Sequence, residues 1–185
     1  MRFILICFLL VIEACSDHTH PDKTIQPLLP VANTAISIPA TVTAYINNNL
    51  PGWNIVSKED YATSFWSFYD SNTTPFFAAV DLNDDRVADY AVIIKKENIA
   101  KPVILLSDGA SFKHWITDDL NQHLNEAGND VLFCLLPEPP GQVDVVKPAI
   151  SSLILTNNAV NLMYLENRQC IFYWDGTQIA VFKTL

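Results

Sequence analysis

Ile171-Phe172-Tyr173-Trp174-Asp175-Gly176-Thr177-Gln178-Ile179 is the stretch that decides the fold class. Two runs of β-branched and aromatic residues flank an Asp-Gly pair, and such a pair enters the left-handed backbone of a tight antiparallel hairpin at little cost. Alternation along the first run puts Ile171 and Tyr173 on one face and Phe172 and Trp174 on the other. Both faces are apolar, so both need cover, and a helix over the second face is the simplest expectation. The alternative is that Trp174 belongs to an exposed binding patch.

Upstream, runs at 131–136, 150–155 and 160–165 are joined to this hairpin by turns as short as Asn157-Asn158 and Asn167-Arg168. Three earlier runs lie at 76–80, 90–94 and 102–106. Sequential strands with short connections pair antiparallel. Helical spacing is expected at three places. Val42, Tyr45, Ile46 and Leu50 recur at helical intervals before Pro51-Gly52. Ser57, with Asp60 three residues on, caps a second short helix bearing Tyr61, Phe65, Phe68 and Tyr69. Residues 117–128 begin with Thr117, carry Leu120 and Leu124 and close on Gly128, which reads as a helix inserted among the strands. The expected class is therefore α+β: N-terminal short helices, then a mainly antiparallel β-sheet meander with one inserted helix.

The chain has 185 residues, 50% hydrophobic and 17% charged, which suits one core and excludes bulk disorder. With 20 acidic against 11 basic side chains the net charge is −9, and no basic cluster is present, so a nucleic-acid partner is excluded. Five glycines leave no Gly-rich phosphate loop.

Arg2 precedes ten unbroken apolar residues, 3–12, a length that suits an export signal and falls short of the about 20 residues of a spanning helix. Ile12-Glu13-Ala14-Cys15 resembles a bacterial lipobox, with Glu13 where a small or hydroxylated residue is usual. The resemblance implies a signal peptide over 1–14, lipidation of Cys15, a membrane partner reached through the lipid, and residence in the bacterial cell envelope, facing the periplasm or the cell surface. Residues 15–38, proline-containing and without a sustained period, read as a flexible tether, and 39–185 as a single domain.

The chemistry-bearing stretch is Val80-Asp81-Leu82-Asn83-Asp84-Asp85-Arg86-Val87-Ala88-Asp89-Tyr90. Oxygen side chains stand at Asp81, Asn83, Asp85 and Asp89, positions 1, 3, 5 and 9 of a loop, and the Val87 carbonyl falls at position 7. A hard cation such as Ca²⁺ wants six to eight oxygens, and this spacing supplies five. Over residues 76–95 the stretch resembles the Asp-x-Asn/Asp-x-Asp-Gly-x-x-Asp loops of FG-GAP and VCBS-type repeats, which implies a strand–loop–strand unit that holds calcium. It occurs once, so no propeller follows. Asp84 and Arg86 stand where those families usually have glycine. The other reading is an acidic turn whose side chains cap their own backbone amides. The closing Tyr-Trp-Asp-Gly is similar to the last hairpin of small bacterial exported proteins that carry one such loop.

Cys134 and Cys170 both fall in expected strands. In an oxidising envelope they either form a disulfide or pack as two buried thiols. No nucleophile-elbow, zinc-protease or phosphate-loop pattern is present. The leading functional expectation is a non-enzymatic envelope lipoprotein, a binding or interaction module with a protein or another envelope ligand and a structural Ca²⁺ loop. The alternative is a hydrolase, or an inhibitor of one, acting on envelope polymers through paired carboxylates.

Overall fold

The computed structural model describes residues 37–146 and 150–184. The signal peptide, the lipobox with Cys15 and the tether as far as residue 36 lie outside the described residues. Among the described residues no helix is long and apolar enough to cross a membrane.

One α-helix, α1 (Ala40–Asn49), leads the described chain. The strands are β1 (Asn54–Ile55), β2 (Phe77–Val80), β3 (Asp89–Lys96), β4 (Ile99–Asp108), β5 (Ser111–Ile116), β6 (Gln122–His123), β7 (Phe133–Glu138), β8 (Gly141–Val145), β9 (Ser151–Leu155), β10 (Ala159–Tyr164), β11 (Asn167–Trp174) and β12 (Ile179–Lys183). Their ladders are antiparallel throughout. In the first sheet β3 and β4 are central; β1 and β2 pair along one edge of β3, and β5 and β6 along the far edge of β4. The second sheet runs β12-β11-β10-β7, and β8 with β9 forms a separate hairpin.

The runs of Val, Ile, Leu and Phe explain why the two larger sheets meet. Val92, Ile94 and Ile104 of the first and Leu135, Leu162 and Phe172 of the second are buried in one shared cluster. Trp115 of β5 meets Phe172 of β11 edge to face, with ring centroids 5.4 Å apart. Helix α1 contributes Val42 and Ile46 to the same core.

The α+β expectation is corrected: among the described residues the protein is mostly antiparallel β, in several sheets, with one α-helix. The two failures share a cause, which is that tertiary hydrogen bonds take the groups a helix would use. At Ser57, Asp60 does reach back to the Ser57 amide, 2.8 Å, but only a 3₁₀ turn (Lys58–Asp60) follows. The Asp60 carbonyl accepts the Val131 amide at 3.0 Å and the Ala62 amide reaches the Val131 carbonyl at 3.4 Å, so the chain leaves as a parallel bridge. Another 3₁₀ turn (Phe65–Ser67) completes the segment. Over 117–128, Thr117 Oγ1 accepts the Asp119 amide at 3.2 Å, closing a local turn, and Gln122 and His123 pair with β4 instead. Asn125 then bonds its amide to the Asp130 side chain at 2.8 Å. Asn, Asp and Thr offer the backbone such alternatives to helix.

The Phe172 and Trp174 face of β11, for which a helix was the expectation, packs into the main core against β5, and the β8–β9 hairpin covers the opposite face. Ile171 is buried in a satellite cluster with Val143, Leu155 and Ala159. Of the two arrangements expected of Cys134 and Cys170, the structure has the free, buried thiols. Both pair through β10, Cys134 opposite Met163 and Cys170 opposite Leu162. A strand between them sets their backbones about 9–10 Å apart, beyond the about 7 Å that a disulfide spans.

Candidate functional site

Three turns converge at one end of the molecule: the loop between β2 and β3, the turn between β9 and β10, and the turn between β11 and β12. They border a cleft of about 650 Å³ lined by residues 83–84, 154–158 and 173–176. Asn157 Nδ2 donates to the Leu82 carbonyl at 3.2 Å, which ties the second turn to the first. Tyr173 and Trp174, half-buried at the end of β11 and on opposite faces of that strand, both border the cleft. Asn158 and Asp84 are exposed on the rim.

The structure brings Asp81, Asn83 and Asp85 together and turns Asp89 elsewhere. Asp81 accepts the Asp85 amide on Oδ1 at 3.2 Å and the Arg86 amide on Oδ2 at 2.8 Å. Asp85 accepts the Val87 amide at 2.8 Å and Asn83 Nδ2 at 3.0 Å. Asp84 and Arg86, at the glycine places of the repeat loops, take left-handed backbone, φ 60° and 68°. Glycine enters that region freely and other residues at a steric cost. Asp89 is fully buried and clamps the loop's base, its Oδ2 accepting the Leu82 amide at 2.9 Å and its Oδ1 the Ser107 amide at 2.8 Å. Burial pushes its carboxyl above the usual range, because the two amide bonds do not offset the desolvation.

A Ca²⁺ ion therefore finds a partial fit. Asp81, Asn83 and Asp85 share the loop interior, but every one of these side chains already bonds within the loop. Among the described residues no group of three or more His, Cys, Asp or Glu is placed to share a metal ion.

At the third turn Asp175 Oδ1 accepts the Thr177 amide, 2.8 Å, the Thr177 hydroxyl, 2.8 Å, and the Gln178 amide, 2.9 Å. The Gln178 and Thr177 amide bonds hold the Asp175 carboxyl below the usual range. It is anionic at neutral pH and acts as an acceptor.

Comparison with protein-family models, curated proteins and solved structures found no match to this chain. The cleft itself is the argument. Sequence reasoning singled out the Asp81 loop and Trp174 and passed over Thr156, Asn157 and Asn158, whose Asn-Asn pair read only as a connection. A pair of side-chain amides at a turn beside an aromatic strand end was the signal available.

Proposed function

We propose that this chain is an envelope lipoprotein, anchored through an acylated Cys15, whose folded part is a non-enzymatic binding module with the three-turn cleft as its ligand site. The observation that carries the reading is the cleft of about 650 Å³ with Tyr173 and Trp174 on its border and a polar rim. Concave sites of this size, apolar on one side with a few convergent polar groups, are where ligands bind. The aromatic residues stand on a strand end and the Asn157 bond to the Leu82 carbonyl ties the second turn to the first, which favours a preorganised shape. A hydrolase would need a carboxyl raised toward neutrality and facing substrate. Here Asp175 is shifted the other way, and the raised Asp89 is buried beneath two amides.

In this reading Ca²⁺ is a structural ligand of the cleft's first wall, held by Asp81, Asn83, Asp85 and the Val87 carbonyl, with Asp89 clamping the base. When bound, the ion supplies charge neutralisation for the loop's carboxylates and no reaction chemistry.

A photo-crosslinking residue at Asn158 tests the proposal in intact cells. The full chain is expected in the membrane fraction, released by Cys15→Ala, and crosslinked to an envelope component from position 158. The same crosslinker at Asn98, in the turn at the far end of β3, serves as the control. Equal adducts from both positions, or membrane residence unaffected by Cys15→Ala, would overturn it.

A further inference from the structure

We infer that the cleft takes an uncharged, polyhydroxylated ligand, a short glycan segment with a ring face on Trp174. The inference rests on the cleft being the ligand site and names what that site accepts. Both aromatic residues are half-buried, so part of each is held by packing while the rest borders the cleft. The C–H face of a sugar ring is apolar and slightly positive, and it complements the negative face of an indole or phenol ring.

The rim matches the hydroxyl edges of such a ring. A hydroxyl both donates and accepts, and a side-chain amide does the same. Asn158 is exposed at the mouth, and Asn157, its Nδ2 committed to Leu82, has its amide oriented by that bond. The hydrogen bonds that close the Asp175 turn fall on Oδ1, which leaves Oδ2 to accept a hydroxyl in a charge-assisted bond.

Charge narrows the class further. Among the described residues no Lys, Arg or His lines the cleft, whereas Asp84 and Asp175 do. A phosphate, uronate or other anion would meet two carboxylates and no counter-charge. A volume of about 650 Å³ exceeds a single ring and suits a short oligosaccharide.

The test is calorimetric titration of the full chain, solubilised in a sugar-free detergent, with five tetramers. Three are uncharged glycans (maltotetraose, cellotetraose and N-acetylated chitotetraose), one is anionic (tetragalacturonate) and one is cationic (tetralysine). At least one uncharged glycan is expected to bind saturably, tetragalacturonate at least tenfold more weakly. Trp174→Ala should weaken glycan binding at least tenfold and Trp174→Phe should recover part of it. Because Trp174 also packs against the core, Asn158→Arg, an exposed substitution that narrows the mouth without touching the core, should weaken binding as well. Failure of all three glycans, tighter binding of tetralysine, or glycan binding indifferent to both positions overturns the inference. If tetralysine binds and loses affinity with Asn158→Arg, the glycan falls while the cleft stands as the ligand site. If the Asn158 crosslink also fails, both fall.

Discussion

Asp60 pairs with Lys95 across 35 residues of sequence, joining the first 3₁₀ turn to β3. The Asp60 carboxylate also accepts the Ser57 amide at 2.8 Å and the Ser57 hydroxyl at 3.0 Å. Burial pushes its pKa up, but the Lys95 and Ser57 bonds outweigh that and leave the carboxyl below its usual value. A carboxyl with a depressed folded pKa contributes stability above its unfolded pKa and loses it as pH falls through the folded one. Asp60→Asn is expected to cost about 1.5–3 kcal/mol near neutral pH, the range for hydrogen bonds to charged groups. The gap between variant and natural protein should close as pH falls below about 4. Urea midpoints across that window check it, and a gap that widens toward acid would contradict it.

Individual strands are legible where apolar runs stand between turn residues, as at 160–165 and 170–174. The class was not, and the reason is local. Residues 57–69 and 117–128 carry helix-like signals, yet the Asp60 carbonyl and the Ala62 amide are captured by Val131, and Gln122 and Asn125 both bond Asp130 across the second segment. Nothing within either segment announces a partner so distant in sequence. Gly141-Gln142-Val143-Asp144-Val145 escaped as β8 because it follows a proline-rich loop and has little apolar content. The site divides the same way. The Asp81 loop is a contiguous pattern and visible, whereas the cleft is made by residues near 83, 157 and 175, and no short motif spells that meeting.

Burial pushes both the Cys134 and Cys170 thiols up to about 12, so neither is a thiolate at neutral pH. In the folded protein both are expected to resist iodoacetamide, and reduction should add no labelled site. Unfolding in guanidinium should expose two sites, of which Cys134→Ala and Cys170→Ala each remove one. Intact mass reads the result, and a label gained only after reduction would contradict it.

Leu155 is buried against Ile171, Val143 and Ala159, where the β8–β9 hairpin covers the outer face of β11. Truncating a buried leucine removes its transfer energy and leaves a cavity. Leu155→Ala should cost about 2–3 kcal/mol, at the low end because this satellite cluster is small and free to collapse. Ser152→Ala on the same strand, exposed and bonded only to Asp144, should cost less than about 0.5 kcal/mol. A denaturant series that found the two equal would mean that the hairpin does not cover Ile171 in solution.

Arg86 holds φ 68° on an exposed turn, a conformation that glycine enters without steric cost. Arg86→Gly exchanges that strain for a more flexible unfolded chain, and αL relief of about 1–2 kcal/mol exceeds the usual glycine penalty of about 0.5–1. The variant should therefore be slightly more stable than the natural protein, with or without metal. Calcium supplies a second, separable arm. Asp81 and Asp85 repel each other in the turn, and an ion bound to the native state alone stabilises it by RT ln(1 + [L]/Kd). For a weak extracellular-type site of Kd about 10⁻³ M, 5 mM CaCl₂ gives about 1 kcal/mol, or roughly 3 °C in melting temperature for a domain of this size. The rise should be smaller with Mg²⁺, larger in Arg86→Gly, which loses a nearby positive charge, and absent in Asp81→Ala. If Arg86→Gly melts higher but neither protein responds to Ca²⁺, the loop is an acidic turn that caps its own amides, and the cleft's first wall stands without an ion.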